Sequence, residues 1–236
     1  MNALLVRVGA DCSAGGGSWN GPVDSKSGDF AYVPIPETKL VHSGLEKAYS
    51  SLDPVLERFR VELPLKLRLK NMHLDPDFTN LTYGDQGRRA KQLLRCLDTN
   101  DMIVFYAGLK DVRRKGYLIY AIIGLLIVKD FLSAVEISKK DRDINAHSRR
   151  VLAPDAEDIV VRGQPGVSGR LKRCLPIGEF RDRAYRVQID LLEEWGGLSV
   201  KDGYLQRSAS LPRFLDVPRF VRWLKRQKPV LLQANN

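Results

Sequence analysis

A stretch of alternating residues near the middle of the chain constrains the fold most. Between positions 63 and 70, leucine alternates with proline, lysine or arginine. This period of two is typical of a strand with one buried and one exposed face. The parity of the leucines continues into His73, Asp75 and Asp77, and Pro76 disfavours helical backbone at the residue before it. We therefore predict a strand whose leucine-bearing side ends in one histidine and two carboxylates.

Two interpretations of this polar segment remain open. In an extended chain, His73, Asp75 and Asp77 would point to one side with successive side chains about 7 Å apart, as catalytic residues at a strand end would. Asp-Pro-Asp is also ordinary turn chemistry, in which aspartates bind nearby backbone N–H groups. Under the first interpretation these three residues form the catalytic centre, and Asp11 joins them from the first strand.

That first strand is predicted at 3–8, and it runs into a glycine-rich loop over 9–17. Such a loop allows backbone N–H groups to approach an anion. Asp11 lies where the strand ends, and functional side chains often project from such positions. The spacing of the glycines matches neither the dinucleotide-binding nor the P-loop pattern. Cys12 and Ser13 are further pocket candidates beside Asp11.

Two apolar segments predict the centre of the sheet. Residues 102–107 and 117–128 have the pattern of neighbouring antiparallel strands joined by a basic loop. A helix is predicted to follow Asp85, as its N-cap, and to end near Leu97. The fold class predicted is α+β, with one domain over residues 1–236. Its core is a mixed, twisted, largely antiparallel sheet with a few flanking helices.

The charge of the chain indicates a polyanionic partner. Lysine and arginine number 38 against 28 aspartates and glutamates, which gives a net charge of +10. Such an excess favours nucleic acid, although a basic helix face can equally be a solvated surface. We expect nucleic acid as the partner, with DNA favoured over RNA. The predicted contacts are Arg88, Arg89, Arg149, Arg170 and Arg222.

The cysteines and the apolar segments bear on localisation. Three cysteines is an odd number, they are widely spaced, and none forms a CxxC pair. This pattern is typical of reduced thiols in the cytoplasm and offers no zinc knuckle. The first ten residues are interrupted by Arg7 and do not match a secretory signal. The longest apolar run is shorter than the roughly 20 residues that a membrane helix needs, so no membrane association is expected.

Several other polar residues are candidates for a pocket. His147 lies in a basic segment, where a single histidine is more often incidental than catalytic. Ser168 lies among glycines that could hold a phosphate, but no base partner identifies it as a nucleophile. Asp85 has helix capping as its default role. The full set of pocket candidates is Cys12, Ser13, Asp85, Tyr106, His147 and Ser168.

A series of short motifs connects the chain to a known family. GADCSAGG, YVPIPE, HLDPD and YGDQG, then NDMIVFYAGL followed by YLIYAIIGLLIV, resemble in their order the third nucleotide modification associated domain family. NAHSRR, VSGRLKR and SASLPRF are compatible with the C-terminal half of that family. The resemblance covers nearly the whole chain and implies a role in DNA base modification or in defence against modified DNA. It carries over as site residues Asp11, His73, Asp75, Asp77, Asp85 and His147.

Two function classes follow from these observations. The first is an enzyme that hydrolyses a phosphodiester or glycosidic bond in modified DNA or nucleotides, with a divalent metal such as Mg²⁺ or Mn²⁺ as a possible but unassigned cofactor. The second is a non-catalytic reader of a modified base, because the predicted strand pair also resembles that of PUA-like EVE and ASCH domains. Convergence of Asp11, His73 and an aspartate on one pocket would favour the enzyme.

Overall fold

The computed structural model describes residues 1–11, 19–206 and 210–236. The strands are β1 Ala3–Arg7, β2 Pro22–Val23, β3 Ile35–Pro36, β4 Met72–His73, β5 Thr82–Asp85, β6 Met102–Asp111, β7 Leu118–Ser133, β8 Ile159–Gly163, β9 Gly169–Pro176, β10 Gly178–Arg181, β11 Ala184–Val187 and β12 Leu231–Leu232. The α-helices are α1 Asp53–Glu57, α2 Leu65–Arg68, α3 Gly87–Cys96, α4 Ala146–Arg149, α5 Ile189–Glu194 and α6 Val217–Arg226. Short 3-10 helices cover Tyr49–Leu52, Ala134–Glu136, Lys139–Ile144 and Lys201–Gly203.

Strand β7 organises the main sheet. One of its edges pairs with β6, and its other edge pairs first with β9 and then with β8. These pairings are antiparallel, whereas β1 and β2 run parallel to β6. Strand β5 extends the sheet beyond β8, and β12 extends it beyond β9. The sheet is therefore mixed and largely antiparallel, and the α+β fold class and the antiparallel pairing of β6 with β7 are confirmed.

Both faces of the central strands are covered, which explains their nearly continuous apolar sequence. On one face, Leu4 and Phe105 pack in a cluster with Leu93 of α3. On the other face, Leu5 packs in a second cluster that includes Trp195 and side chains of α6. Successive residues of β1 and β6 therefore point alternately into two different parts of the core.

The predicted strand over 63–70 is wrong. These residues form the short helix α2 and the turns beside it. Leu63 and Leu67 are buried, at 5% and 3% exposure, whereas Leu65 and Leu69 are 71% and 81% exposed. Leu67 lies within α2, whereas Leu63 comes just before its N-cap residue Pro64, so the two buried side chains flank the first turn of the helix. They pack with Tyr49 and its neighbours, and this local cluster selects the helical conformation over the extended one.

The start of α3 also differs from the prediction. The N-cap position belongs to Gln86, whose side chain makes no capping hydrogen bond, and Asp85 is the last residue of β5. The carboxylate of Asp85 instead forms an ion pair with Arg89, one turn into the helix, at 2.9 Å. Within the described ranges, no helix combines the length and the apolar character needed to cross a membrane.

Candidate functional site

A cavity of about 730 Å³ that several charged side chains line lies beside the C-terminal end of β1. The end of β1, the β3–β4 pair and strand β5 contribute to its walls, as do side chains from α2, α3 and α4. Asp11 and His73 both line it, although residues 12–18, which follow Asp11, lie outside the described residues. Asp75, Asp85, Tyr106 and His147 line the same cavity, together with Arg89. The cavity therefore brings together residues that are far apart in the sequence.

Three of these side chains converge closely. His73 ends β4, Asp75 follows it, and His147 lies in α4. One donor atom from each of the three residues lies within 4.8 Å of the others. The two imidazole rings meet edge to face, with centroids 5.0 Å apart, and His147 Nε2 lies 4.0 Å from Asp75 Oδ2. Two imidazoles and one carboxylate at this spacing could hold a metal ion.

Each of the two histidines is held by a carboxylate that contacts its Nδ1 atom. Antiparallel pairing of β3 with β4 places Glu37 next to His73, and Glu37 Oε2 lies 2.7 Å from its Nδ1. Asp158, immediately before β8, lies 2.5 Å from His147 Nδ1. Arg150 binds Glu37 at 2.9 Å and so neutralises one of these carboxylates. The orientation of both rings is therefore fixed from outside the cavity.

Asp75 is fixed by neutral donors instead. Its Oδ1 accepts hydrogen bonds of 2.8 Å from the backbone N–H of Gly84 and from the Asn145 side-chain amide. Asn145 also caps α4, because its Oδ1 accepts the backbone N–H of His147 at 2.8 Å. One asparagine therefore sets the positions of both Asp75 and His147.

Burial dominates the electrostatics of the cluster. It raises the pKa of Asp75 to about 6, against the opposing effects of His147 and of the donors from Asn145 and Gly84. Burial also lowers the pKa of His73, and the nearby Arg150 charge acts in the same direction, while Glu37 opposes both. Burial raises the pKa of Glu37, but hydrogen bonds from His73 and Arg150 outweigh it and hold that pKa below its usual range.

Another part of the cavity wall carries a second polar group. The hydroxyl of Tyr83 donates to Asp85 at 2.6 Å, and Arg89 donates to the same hydroxyl at 2.9 Å. Burial, followed by the charge of Asp85, raises the pKa of Tyr83 well above its usual value, although Arg89 opposes this. Asp11 forms an ion pair with Arg7 at 2.6 Å. Asp85 and Asp11 therefore each lie beside an arginine within the cavity wall.

Comparison with known proteins gives one result. The family model for nucleotide modification associated domain 3 matches residues 2–202. The chain belongs to this family. The matched segment contains His73, Asp75, His147 and the carboxylates that hold the histidines, and the name of the family associates the chain with nucleotide modification. Searches of curated proteins and of solved structures found no match.

Asp77, one of the four predicted catalytic residues, is not among the residues that line the cavity. The chain turns at this point, since Asp77 bridges to Thr82 and its carboxylate accepts the backbone N–H groups of Thr79 and Asn80. Its other oxygen binds the buried Arg149 at 2.6 Å. The structure thus places His73 and Asp75 in the cavity wall and gives Asp77 contacts typical of a structural residue.

The predicted nucleic-acid contacts fall into two groups. Arg88 and Arg222 are exposed, and Arg89 is half-buried in the cavity wall. Arg149 is 3% exposed, and Arg170 is 6% exposed and donates to the carbonyls of Leu171 and Ala234. The last two side chains are thus committed to contacts inside the protein.

Three of the pocket candidates are not among the described residues of the cavity wall. Ser168 is buried away from the cavity, and its hydroxyl oxygen accepts the backbone N–H of Ile127 at 2.9 Å. Cys12 and Ser13 lie outside the described residues. Among the described residues, the pocket candidates that line the cavity are Asp85, Tyr106 and His147.

Sequence reasoning missed the residues that support the cluster. Glu37 and Asn145 occur in the quoted motifs YVPIPE and NAHSRR, as does Arg150, so a signal for them existed in the family motifs. Asp158 occurs in no quoted motif and carries no local signal. Its role depends on the pairing of β8 with β5, which brings the start of β8 beside α4.

Proposed function

We propose that this protein is an enzyme that hydrolyses a phosphoester bond in a nucleotide unit of modified nucleic acid. The convergence of His73, Asp75 and His147 in one cavity carries the proposal. Their rigid outer contacts match what catalysis needs, which is a reacting group preorganised before substrate binds. Asp11 and Asp85 stand in the same wall as acidic groups that can bind or orient the substrate.

The size and charge of the cavity support a nucleotide as the group bound. A volume of about 730 Å³ lies in the range of small-molecule sites. The described lining includes basic side chains from several elements, which suit the phosphate oxygens of a nucleotide. These are Arg7, Lys66, Lys70, Arg89 and Arg150.

Phosphoester hydrolysis has more support than glycosidic hydrolysis. The usual glycosidic mechanism needs two carboxyl groups on opposite sides of one bond. Asp77 binds Arg149 and lies outside the cavity wall, so the motif supplies Asp75 alone. The other aspartates of the described wall, Asp11 and Asp85, each form an ion pair with an arginine. Histidines beside a carboxylate instead suit activation of a water molecule for attack at phosphorus.

A non-catalytic reader of a modified base is the second candidate, and the aromatic side chains in the wall are what favour it. Apart from the two histidines, the aromatic residues among the described lining are Tyr83 and Tyr106. Tyr106 donates its hydroxyl to the carbonyl of Leu205, and each tyrosine packs in one of the two core clusters. Their rings thus serve the core, so the enzyme is the better-supported proposal.

We also propose that residues 1–236 act as one domain, although the family match ends at 202. Trp195 is fully buried and its ring contacts Phe220 and Trp223 of α6 at 5.3 Å and 5.0 Å between centroids. Helix α6 therefore completes the core that covers one face of the sheet.

An exposed aromatic patch on the β10–β11 hairpin gives the nucleic-acid partner a candidate contact surface. Phe180 is 66% exposed, and its ring lies 5.3 Å from that of Tyr185. Arg183 is exposed in the turn of the same hairpin, whereas Arg181 and Arg186 lie on the face opposite the two rings. An exposed aromatic ring near a basic side chain is typical of surfaces on which the bases of a single strand stack.

The first prediction concerns this binding. We expect a labelled single-stranded DNA oligonucleotide to bind at low salt, and its affinity to fall by about 50-fold between 50 and 200 mM salt if about four phosphates are contacted. Fluorescence anisotropy measures both quantities, with RNA and duplex DNA as further ligands. Phe180→Ala should weaken binding by about 1–3 kcal/mol. Val112→Ala, on the β6–β7 hairpin, is the control. Absence of binding to any nucleic acid at low salt would contradict the expectation.

The second prediction tests the enzyme itself. Modified and unmodified oligonucleotides, incubated with the protein and a series of divalent ions, should yield cleaved strand or free phosphate. Asp75→Asn should lower the rate by at least about 100-fold, because the variant removes a charge from the reacting centre. Asp155→Asn makes the same change at an exposed site and should retain the parent rate. Equal rates for the two variants would exclude Asp75 from the reaction.

A further inference from the structure

We propose that His73, Asp75 and His147 bind one divalent transition-metal ion of the iron-to-zinc series. The proposal names the cofactor of the reaction proposed above, but the site stands on its own contacts and is tested without that reaction. It goes beyond the family description, which names no metal.

The position of the proton on each imidazole ring supports metal binding. In each ring Nδ1 faces a carboxylate, Glu37 for His73 and Asp158 for His147. Arg150 Nη2 also lies 3.1 Å from His73 Nδ1, but the same nitrogen pairs with Glu37 at 2.9 Å, and the shorter contact of the ring, 2.7 Å to Glu37, sets its proton. A carboxylate accepts a hydrogen bond, so the proton of the neutral ring belongs on Nδ1 and the lone pair belongs on Nε2. The nitrogen that remains for a ligand bond is thus Nε2 in both rings. A carboxylate behind a histidine in this way is the usual outer contact of a metal-binding imidazole.

Asp75 offers one oxygen in the same manner. Its Oδ1 is occupied by the N–H donors of Gly84 and Asn145, whereas Oδ2 faces His147 Nε2 at 4.0 Å. All three candidate ligands therefore have a second atom that is held by the protein. Three polar residues without a common ligand would not need these supporting contacts. The contacts hold the side chains in place and so reduce the cost of gathering them around an ion.

The spacing of the donors also fits. Bonds of about 2.1 Å place neighbouring ligand atoms about 3–3.5 Å apart in tetrahedral or octahedral geometry. One donor atom from each of the three residues lies within 4.8 Å of the others, so a contraction of at most about 1.3–1.8 Å brings the widest pair to this distance. The residues are 4–9% exposed, and the site opens on the cavity. Three protein ligands leave positions on the ion for water or a substrate oxygen.

The ligand types select the class of ion. Mg²⁺ prefers oxygen ligands and retains several waters, whereas imidazole nitrogen favours iron, cobalt, nickel, copper and zinc. Two neutral imidazoles and one carboxylate leave a net charge of +1 on a bound divalent ion, which suits a negatively charged phosphate. The sequence-based suggestion of Mg²⁺ followed from aspartates alone, and the proximity of His147 to them changes the choice of ion.

The test is metal binding by the full chain. Protein stripped with a chelator is titrated with Zn²⁺ by calorimetry, and with Co²⁺ by visible absorption. We expect one ion per chain, and no comparable binding of Mg²⁺. His73→Ala and His147→Ala should each weaken binding by more than about 100-fold, while the positioning variants Glu37→Gln and Asp158→Asn should weaken it about 10- to 100-fold. The control is His42→Ala, which changes the one other histidine of the chain. His42 is not among the residues that line the cavity, so this variant should bind the ion as the parent does.

Thermal unfolding distinguishes lost binding from lost folding. Zn²⁺ should raise the unfolding temperature of the parent and of His42→Ala, and should leave that of folded His147→Ala unchanged. A parent that binds neither Zn²⁺ nor Co²⁺ would overturn the metal site, as would unchanged binding by both histidine variants. Binding of an ion without cleavage of any nucleic acid would overturn the proposed function alone. Cleavage by metal-free protein would overturn the role of the ion in that reaction.

Discussion

Gly84→Ala is expected to weaken binding of the divalent ion by at least about 10- to 100-fold, the range seen when supporting contacts of metal ligands are lost. A Cβ at position 84 would lie 2.3 Å from His147 Cδ2 and 2.6 Å from Asn145 Oδ1. Neither neighbour can move freely, because Asp158 holds the ring of His147 and Asn145 caps α4. The added methyl therefore displaces two groups that set the geometry of the cluster.

Overpacking of this kind should also cost about 1–3 kcal/mol of the free energy of unfolding. Urea denaturation measures this loss, and Zn²⁺ calorimetry on the folded variant measures the loss of affinity. Gly116→Ala serves as the control, because nothing lies within 4 Å of its Cβ. Its positive φ of 78° makes alanine cost about 1–2 kcal/mol without touching the cavity. Parent-like ion affinity in Gly84→Ala would show that the cluster does not depend on this close approach.

The sheet was predictable where both of its faces are covered. Segments such as β6 and β7 contain long runs of apolar residues, which are enough to predict that each is a buried strand and that the two are neighbours. The segment 63–70 was mispredicted because Leu63 and Leu67 satisfy a period of two and a spacing of four equally well. In so short a segment, packing against Tyr49 decides between the two conformations, and that contact is not visible in the local pattern.

The site was predictable in part for a similar reason. His73 and Asp75 lie close together in the sequence, so their proximity follows from a single motif. His147 is 72 positions further along than Asp75, and a histidine in a basic segment gives no indication of its partners. Its place in the cavity depends on Asn145 and Asp158, and therefore on how α4 lies against β5 and β8. Such contacts belong to the tertiary structure.

Replacing Asp77 tests whether this residue has a catalytic or a structural role. We expect this replacement to have the largest effect on the free energy of unfolding. Asp77 is 1% exposed and Arg149 is 3% exposed, and their charged groups lie 2.6 Å apart. Asp77→Ala leaves the guanidinium buried with Asp143 as its remaining carboxylate partner. Removal of one member of a buried pair costs about 3–5 kcal/mol, so we expect a loss of this size in urea denaturation. Asp53→Ala breaks an exposed pair with Arg68 and should cost at most about 1 kcal/mol.

The double variant Asp77→Ala with Arg149→Met decides the cause of the loss. Removing both charges also removes the uncompensated guanidinium, so part of the lost free energy of unfolding should return relative to Asp77→Ala alone. The recovery will be incomplete, because Asp77 also binds the backbone of Thr79 and Asn80 and the side chain of Asn235. Folded Asp77→Ala should keep the ion affinity of the parent, since none of the hydrogen bonds and ion pairs of Asp77 with described residues is to His73, Asp75 or His147. If Asp77→Ala retained full stability and lost the ion or the activity, Asp77 would belong to the reacting centre rather than to this turn.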